Sequence, residues 1–356
     1  MLGIDRKAAR YTWTAIMVVM AVWLVYVVRK TLFVFVLALL FAYLLSPLVN
    51  LVDRVLPASR TRTRTPALAL AYVIFVGLVV LAGIQIGTRV VEQAKLLGHE
   101  FPARVTTWVQ TPSASPTMNT IKQKALERVQ SEIGTWSASL LSSLPEAGLK
   151  FLTVASELIY VVIIPILSFF FLKDGHLIRQ HALDLVEAGP RRALLDDVMA
   201  DIHLLLAHYM RALVILSLTA FTAYSIFFSI MAVPYGILLA AVACIMEFIP
   251  MIGPLASSLT ILLVAGVANS HVLAIVIFLV AFRMFQDYIV SPHLMEQGVE
   301  LHPLLVLFGV FAGAEVAGIA GTFLSVPVLA LVRILYVQVR RSRLNSRLVP
   351  AGDVSA

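Results

Sequence analysis

Apolar runs about as long as a bilayer is thick recur along this chain, and no other feature restricts its possible folds so strongly. Tyr11 to Val28, Leu32 to Val52 and Pro66 to Val90 each come near or exceed the roughly 20 residues a helix needs to cross the hydrocarbon core. Lipid offers no partner to a backbone N–H or C=O, so such runs must close their hydrogen bonds internally, as helices or closed barrels. A barrel is written in short segments of alternating polarity, which this sequence does not contain. Of the 356 residues, 60% are hydrophobic and only 13% charged, about half the charged share of a soluble domain. The expected class is an all-α polytopic membrane protein with about eight hydrophobic segments.

The formal net charge of +7 gathers at segment ends. That placement sets topology beside anionic lipid; nucleic-acid binding would need a basic face on a soluble fold, so no nucleic-acid partner is expected. Arg6, Lys7 and Arg10 predict a cytoplasmic N-terminus. Arg54, Arg60, Arg62 and Arg64 predict a cytoplasmic loop, and Arg333, Arg340, Arg341, Arg343 and Arg347 a cytoplasmic C-terminus. Arg29 and Lys30, at a tight turn between the first two helices, then fall outside, against the rule. Tyr11 to Val28 is long for a signal-peptide core and has no small-residue cleavage site after it, so it reads as a retained helix. The single cysteine, Cys244, excludes an intrachain disulfide and a multi-cysteine metal site.

Residues 1–90 are therefore expected to form three membrane helices. The third holds Gly83 and Gly87, at the small-xxx-small spacing that lets helices approach closely. Residues 91–150 are polar, and Leu126, Val129, Ile133, Trp136, Leu140 and Leu144 recur there at helical spacing. They predict an extracytoplasmic amphipathic helix that lies on the membrane, packs on the bundle or meets a second subunit. Residues 151–233 are expected to hold two membrane helices. The first stops at Lys173-Asp174-Gly175, the second starts near Leu204, and a cytoplasmic helical loop over 173–203 joins them. The transport core is placed at 234–338, followed by a basic tail over 339–356.

Within that core, two broken segments, 235–267 and 303–336, flank one continuous helix over 271–290. The first is interrupted at Pro250-Met251-Ile252-Gly253-Pro254, with Glu247 just before. The second is interrupted by Gly309, Gly313, Gly318, Gly321 and Pro327. Each is either a re-entrant hairpin or one long kinked span. Paired Gly/Pro-interrupted segments point to a transporter's binding site, because unwound backbone at membrane depth is tolerated where it lines a cavity.

Glu247 is the first candidate for the chemistry. A carboxyl group among apolar side chains is driven toward its neutral form, so it can exchange a proton, or hold a cation when ionised. Pro250 and Pro254 lack N–H donors and free nearby carbonyls to face a cation or hydroxylated solute. The structural alternative is that Glu247 pairs with Arg283 and only fixes the bundle. Glu315, between Gly313 and Gly318, is either the counterpart of Glu247 or an exposed carboxylate at a hairpin tip. Arg283 and Asp287, four apart beside Gln286, form a local ion pair or a gate. His302, before Pro303, is either a titrating group or an interfacial side chain that is simply hydrogen-bonded. No G-x-x-x-x-G-K-[ST] loop and no H-E-x-x-H motif occurs, which removes ATP-driven transport by this chain and a zinc protease. No metal, cofactor or enzymatic activity is expected.

Five stretches carry a resemblance. They are Phe41-Ala42-Tyr43-Leu44-Leu45-Ser46-Pro47, Ser168-Phe169-Phe170-Phe171-Leu172-Lys173-Asp174-Gly175, and Glu247-Phe248-Ile249-Pro250-Met251-Ile252-Gly253-Pro254. Ser291-Pro292 with Val299-Glu300-Leu301-His302-Pro303, and the glycines Gly313, Gly318 and Gly321 before Pro327, complete the set. In order and spacing the chain resembles the AI-2E family of bacterial inner-membrane transporters, whose namesakes export autoinducer-2. It departs from the family at Glu247, where Asp is usual, and at Ala212, where Tyr209-Met210-Arg211 would lead into a glycine. The resemblance implies export of a small polar solute across the bacterial inner membrane. It also implies a homo-oligomer, with a pentamer the natural form, and for some members Na+(Li+)/H+ antiport.

Overall fold

The computed structural model describes residues 6–55, 65–110, 155–268, 271–291 and 301–348. Helices α1 (Arg6–Val27) and α2 (Arg29–Val55) follow one another almost without a break. Helix α3 (Thr65–Ala82) passes through a π-helical turn, Gly83–Gly87, into α4 (Thr88–Gln110). Then come α5 (Ala155–Asp184), α6 (Pro190–Ile230), α7 (Gly236–Met246) and α8 (Ile252–Val267). Helix α9 (Val272–Phe285) ends in a second π-helical turn, Gln286–Val290, and α10 spans Pro303–Leu348. Among the described residues there is no strand, and six stretches are long and apolar enough to cross a membrane. The protein is an all-α polytopic membrane protein.

Two helices carry the packing, and both show it in their sequence. The buried positions of α2 include Ala38, Ala42, Leu45, Val49 and Val52. Those of α6 include Leu206, Met210, Leu213, Ser217, Ala220, Tyr224 and Phe228. The alternating three- and four-residue steps hold one stripe against a neighbouring helix. Helix α2 packs on α3, α5 and α6, while α6 also packs on α7 and α10. Tyr72 of α3 and Ser168 of α5 share a hydroxyl–hydroxyl bond across that layer.

Three expected boundaries are corrected by the structure. The third membrane helix does not end at Val90. It runs on to Gln110, because Leu97, Phe101, Val105 and Val109 form an apolar stripe among the polar residues and pack into the core of α6 to α9. Lys173-Asp174-Gly175 does not stop a helix, since α5 continues to Asp184. Charge there ends lipid burial, and a helix leaving the bilayer keeps its own hydrogen bonds. The fifth membrane helix begins at Pro190, not Leu204. It is 41 residues long, about 60 Å, twice a hydrocarbon core. The projecting ends of α5 and α6 are joined by Arg179–Asp196 at 2.7 Å and Arg192–Asp184 at 2.9 Å. Residues 126–144, read as an amphipathic helix, lie outside the described residues.

The two broken segments differ in form. Helices α7 and α8 have 11 and 16 residues, about 17 and 24 Å, each short of the roughly 30 Å core. Helix α10 folds back on itself at Ala317 (φ −142°, ψ 21°) and Gly318 (φ 60°, ψ −140°). A Cβ on Gly313 would lie 2.3 Å from the Gly321 carbonyl oxygen, and one on Gly309 2.5 Å from Leu329. Those two contacts, 313 with 321 and 309 with 329, define an antiparallel helical hairpin closed by glycine. By contrast, Gly83 and Gly87 face open space; the small-xxx-small pair is not a packing face among the described residues.

The contrast is measurable. Gly321→Ala puts its methyl 2.0 Å from the Gly313 carbonyl and is expected to lower the melting temperature of the purified protein, by about 1–3 kcal/mol of overpacking. Gly83→Ala is expected to leave it unchanged or raise it slightly, as a helical alanine for glycine does. Equal melting points for the two variants would count against the hairpin contact.

Candidate functional site

Helix α7 ends where its sequence changes from small and aliphatic residues to Glu247. The chain then turns through Phe248, Ile249 and Pro250. Met251 takes φ 64°, ψ −50°, and the Ile252 N–H bonds back to the Pro250 carbonyl at 2.7 Å. This is a γ-turn of the rare, strained hand, a conformation costing on the order of 1–3 kcal/mol. It reverses the backbone tightly enough that a Cβ on Gly253 would sit 1.8 Å from the Met246 carbonyl oxygen. Glycine is therefore required at 253. The Pro254 carbonyl accepts the hydroxyls of Ser257 at 3.0 Å and Ser258 at 2.7 Å, the back-bond that a helical serine makes to a carbonyl one turn earlier.

The turn leaves Glu247 buried, 8% exposed, against α9. Its Oε1 accepts a hydrogen bond from Gln286 Nε2 at 3.3 Å, and Gln286 is itself only 2% exposed. Gln286 opens the π-helical turn of α9. A π turn inserts one residue into the helical register, and such bulges often occur at functional sites. Here Gln286 points inward while Arg283 and Asp287 stay half exposed, with Arg283 Nε donating to Asp287 Oδ2 at 2.9 Å. Glu247 thus has an amide, not a guanidinium, as its bonded partner. Arg283 takes the local partner its i, i+4 spacing offers, while remaining close enough to Glu247 for their charges to interact.

Two side chains not singled out in the sequence complete the cluster. Tyr224 of α6, 5% exposed, brings its ring into edge contact with Phe278 and Phe282, at 5.4 and 5.1 Å. Its hydroxyl lies beside Ser258, within charge range of Glu247 and Arg283. The signal for it was present: a tyrosine in an apolar membrane helix needs a partner for its O–H. Ser258, Arg283 and Asp287 open onto a groove of about 430 Å³ between α8 and α9. Leu262, Val276, Leu279, Val280, Met284 and Tyr288 form the rest of its wall.

The remaining candidates sit elsewhere. Glu315 is exposed near the tip of the α10 hairpin, with Gly313 and Gly321 locking the two arms and Gly318 making the turn. That hairpin reaches the first break through Phe323, whose ring lies 6.1 Å from that of Phe248. His302 accepts the Leu304 backbone N–H on Nδ1 at 3.2 Å, and its carbonyl takes the N–H of Leu305 and Val306. With Pro303 at the first helical position, His302 caps α10. Pro292 lies outside the described residues. No group of three or more His, Cys, Asp or Glu able to hold a metal occurs among the described residues.

The family model of AI-2E family transporters matches residues 14–341, nearly the whole chain. The chain belongs to the AI-2E transporter family. YueF of Bacillus subtilis (strain 168) is 24% identical over 326 residues, 87% of this chain and 86% of that protein. YrrI of the same organism is 28% identical over 184 residues, about half of each chain at 51% and 51%. MT0215 of Mycobacterium tuberculosis (strain CDC 1551 / Oshkosh) is 28% identical over 209 residues, 58% of this chain and 54% of that one. Family membership makes this AI-2E protein a membrane transport protein, and its clustered carboxylate, amide, ion pair and phenol lie where α7 breaks and α9 takes its π-helical turn.

The ion pair gives a stability test. An unpaired charge within an apolar bundle costs more than the pair contributes. The double variant Arg283→Ala/Asp287→Ala is therefore expected to melt above either single variant in detergent. Additive losses would show that the two charges are independently solvated.

Proposed function

We propose that this AI-2E protein is a secondary transporter that exports a small polar solute, a signalling molecule of the autoinducer-2 kind or a metabolite, across a bacterial inner membrane. A proton or Na+ is exchanged at Glu247. The observation that carries the reading is the burial of Glu247 at the γ-turn between α7 and α8, with the Gln286 amide as its partner. A neutral donor leaves a carboxyl group free to change its protonation state, whereas a salt bridge would fix it as an anion. Half-helices meeting at membrane depth are where transporters hold solutes and coupling ions. In this reading the two broken segments are re-entrant hairpins, both termini are cytoplasmic, and the protein works as a homo-oligomer, a pentamer by family resemblance.

The same carboxyl group would serve a Na+(Li+)/H+ antiporter, the second reading. Proteoliposomes loaded with an interior pH dye separate them. A pH change driven by external Na+ or Li+, present in the wild type and abolished in Glu247→Gln, makes Glu247 the exchanging group. If labelled solute also exchanges, transport is coupled; if only cations move, the protein is the antiporter. Solute counterflow without any pH response leaves an uncoupled exporter, with Glu247 a ligand or a structural group. Neither flux in either protein overturns transport in favour of a scaffold.

A further inference from the structure

The groove between α8 and α9 has a chemistry that the transport reading does not use. Arg283 and Asp287 stand side by side at one end, 44% and 45% exposed. Both lie within Val272–Val290, a 19-residue stretch apolar enough to cross a membrane. A half-exposed ion pair on such a helix is costly against lipid and is found facing water or complementary charges. Beyond the pair the wall is mainly apolar, formed by Leu262, Val276, Leu279, Val280 and Met284, with Tyr288 beside Asp287. The Ser258 hydroxyl already donates to the Pro254 carbonyl. The volume of about 430 Å³ falls in the range of small-molecule sites.

From this juxtaposition we propose that the groove binds a zwitterion with an apolar side chain, an α-amino acid of the leucine type, its carboxylate on Arg283 and its ammonium on Asp287. The inference rests on the transport reading and names the solute class. A solute with one net charge would satisfy one member of the ion pair and strand the other in apolar surroundings. An uncharged polyol would need several convergent donors and acceptors, and beyond the ion pair the wall offers only the hydroxyls of Tyr288 and of Ser258, the latter already bonded to Pro254. A zwitterion exchanges one ion pair for two. Its charges are separated by a single carbon, which suits a guanidinium and a carboxylate already in hydrogen-bond contact. The apolar wall then takes the side chain. Gln286, between Arg283 and Asp287 on α9, bonds to Glu247, so solute and exchanged ion would occupy neighbouring faces of the same helix.

Binding of radiolabelled L-leucine to the purified wild-type protein in detergent tests this without requiring flux; counterflow in leucine-loaded proteoliposomes follows. Unlabelled leucine is expected to compete, while leucinamide (no carboxylate), N-acetyl-leucine (no ammonium) and glycine (no side chain) each compete at least about tenfold more weakly. Arg283→Gln is expected to remove the preference over leucinamide and keep that over N-acetyl-leucine; Asp287→Asn does the reverse. This reciprocal loss is a signature that mere destabilisation would not produce. Absence of leucine binding overturns the proposal, whether or not the vesicles show cation-driven proton flux. Equal competition by all four compounds also overturns it. Leucine binding with the expected selectivity but no counterflow upholds the site and counts against the transport reading alone.

Discussion

A carboxyl group enclosed by apolar side chains has to be given a hydrogen-bond partner, and in this protein the irregular ends of α7 and α9 meet where Glu247 finds that partner. The donor is Gln286, itself fully enclosed. Presenting an amide inward from α9 while Arg283 and Asp287 remain outward uses a π-helical turn at Gln286–Val290. Presenting the carboxyl group toward it ends α7 after 11 residues and reverses the chain through a left-handed Met251. The reversal is so tight that residue 253 can only be glycine. A bulge, a break, a strained residue and an obligatory glycine thus all lie around one hydrogen bond of 3.3 Å.

The strain in that turn has to be held by the surroundings, and the hold comes from outside the site. Helix α4, the long continuation of α3, packs Phe101 and Val105 into the same core as Tyr224, Ala243, Ile261 and Phe282. It also reaches the start of α7. Gln93 Oε1 accepts the Leu238 N–H at 2.9 Å, one of the donors a helix N-terminus leaves unpaired. The Tyr235 hydroxyl donates to Glu100 at 3.3 Å, and Glu100 is paired with Arg104 at 3.1 Å. The chain enters α7 through two further left-handed residues, Ala232 and Tyr235. The short helix carrying Glu247 is therefore fixed at one end by side chains of α4 and at the other by the Glu247–Gln286 bond, with little freedom left between them.

The sequence exposed the class and the two broken segments and singled out Glu247, which the structure buries, because lipid imposes rules that composition alone obeys: apolar length, charge at the ends, and expense for anything polar between them. It exposed the Arg283–Asp287 pair through simple i, i+4 spacing. It did not reveal which partner Glu247 would choose, since that depends on a one-residue register shift in α9 that no periodicity encodes. It also misplaced three helix boundaries for one reason. Polar residues mark where the bilayer ends, and helices here run well past that point when an apolar stripe such as Leu97, Phe101, Val105 and Val109, or ion pairs such as Arg179–Asp196, give the projecting turns something to pack on.

The two broken segments look alike in sequence and are not alike in structure. The first places its carboxylate before the turn, on the inward side, where a neighbouring helix can donate to it. The second places Glu315 beside a turn that glycine makes at Gly318, with the arms pressed together at Gly309, Gly313 and Gly321. That packing leaves no interior space between the arms for a side chain, and Glu315 is left exposed. The second hairpin is accordingly a rigid wedge, anchored at its far end by Gln338 donating to Asp201 at 2.6 Å. Its Phe323 rests on Phe248, the residue next to Glu247. Leu324 and Val326 beside it pack on the same cluster as Phe248, so the two broken segments meet across a small apolar patch. Of the two carboxylates, the one before the first break is thus enclosed and bonded to a neighbouring helix, and the one at the second turn is exposed, while Phe323 of the second segment touches the residue beside Glu247.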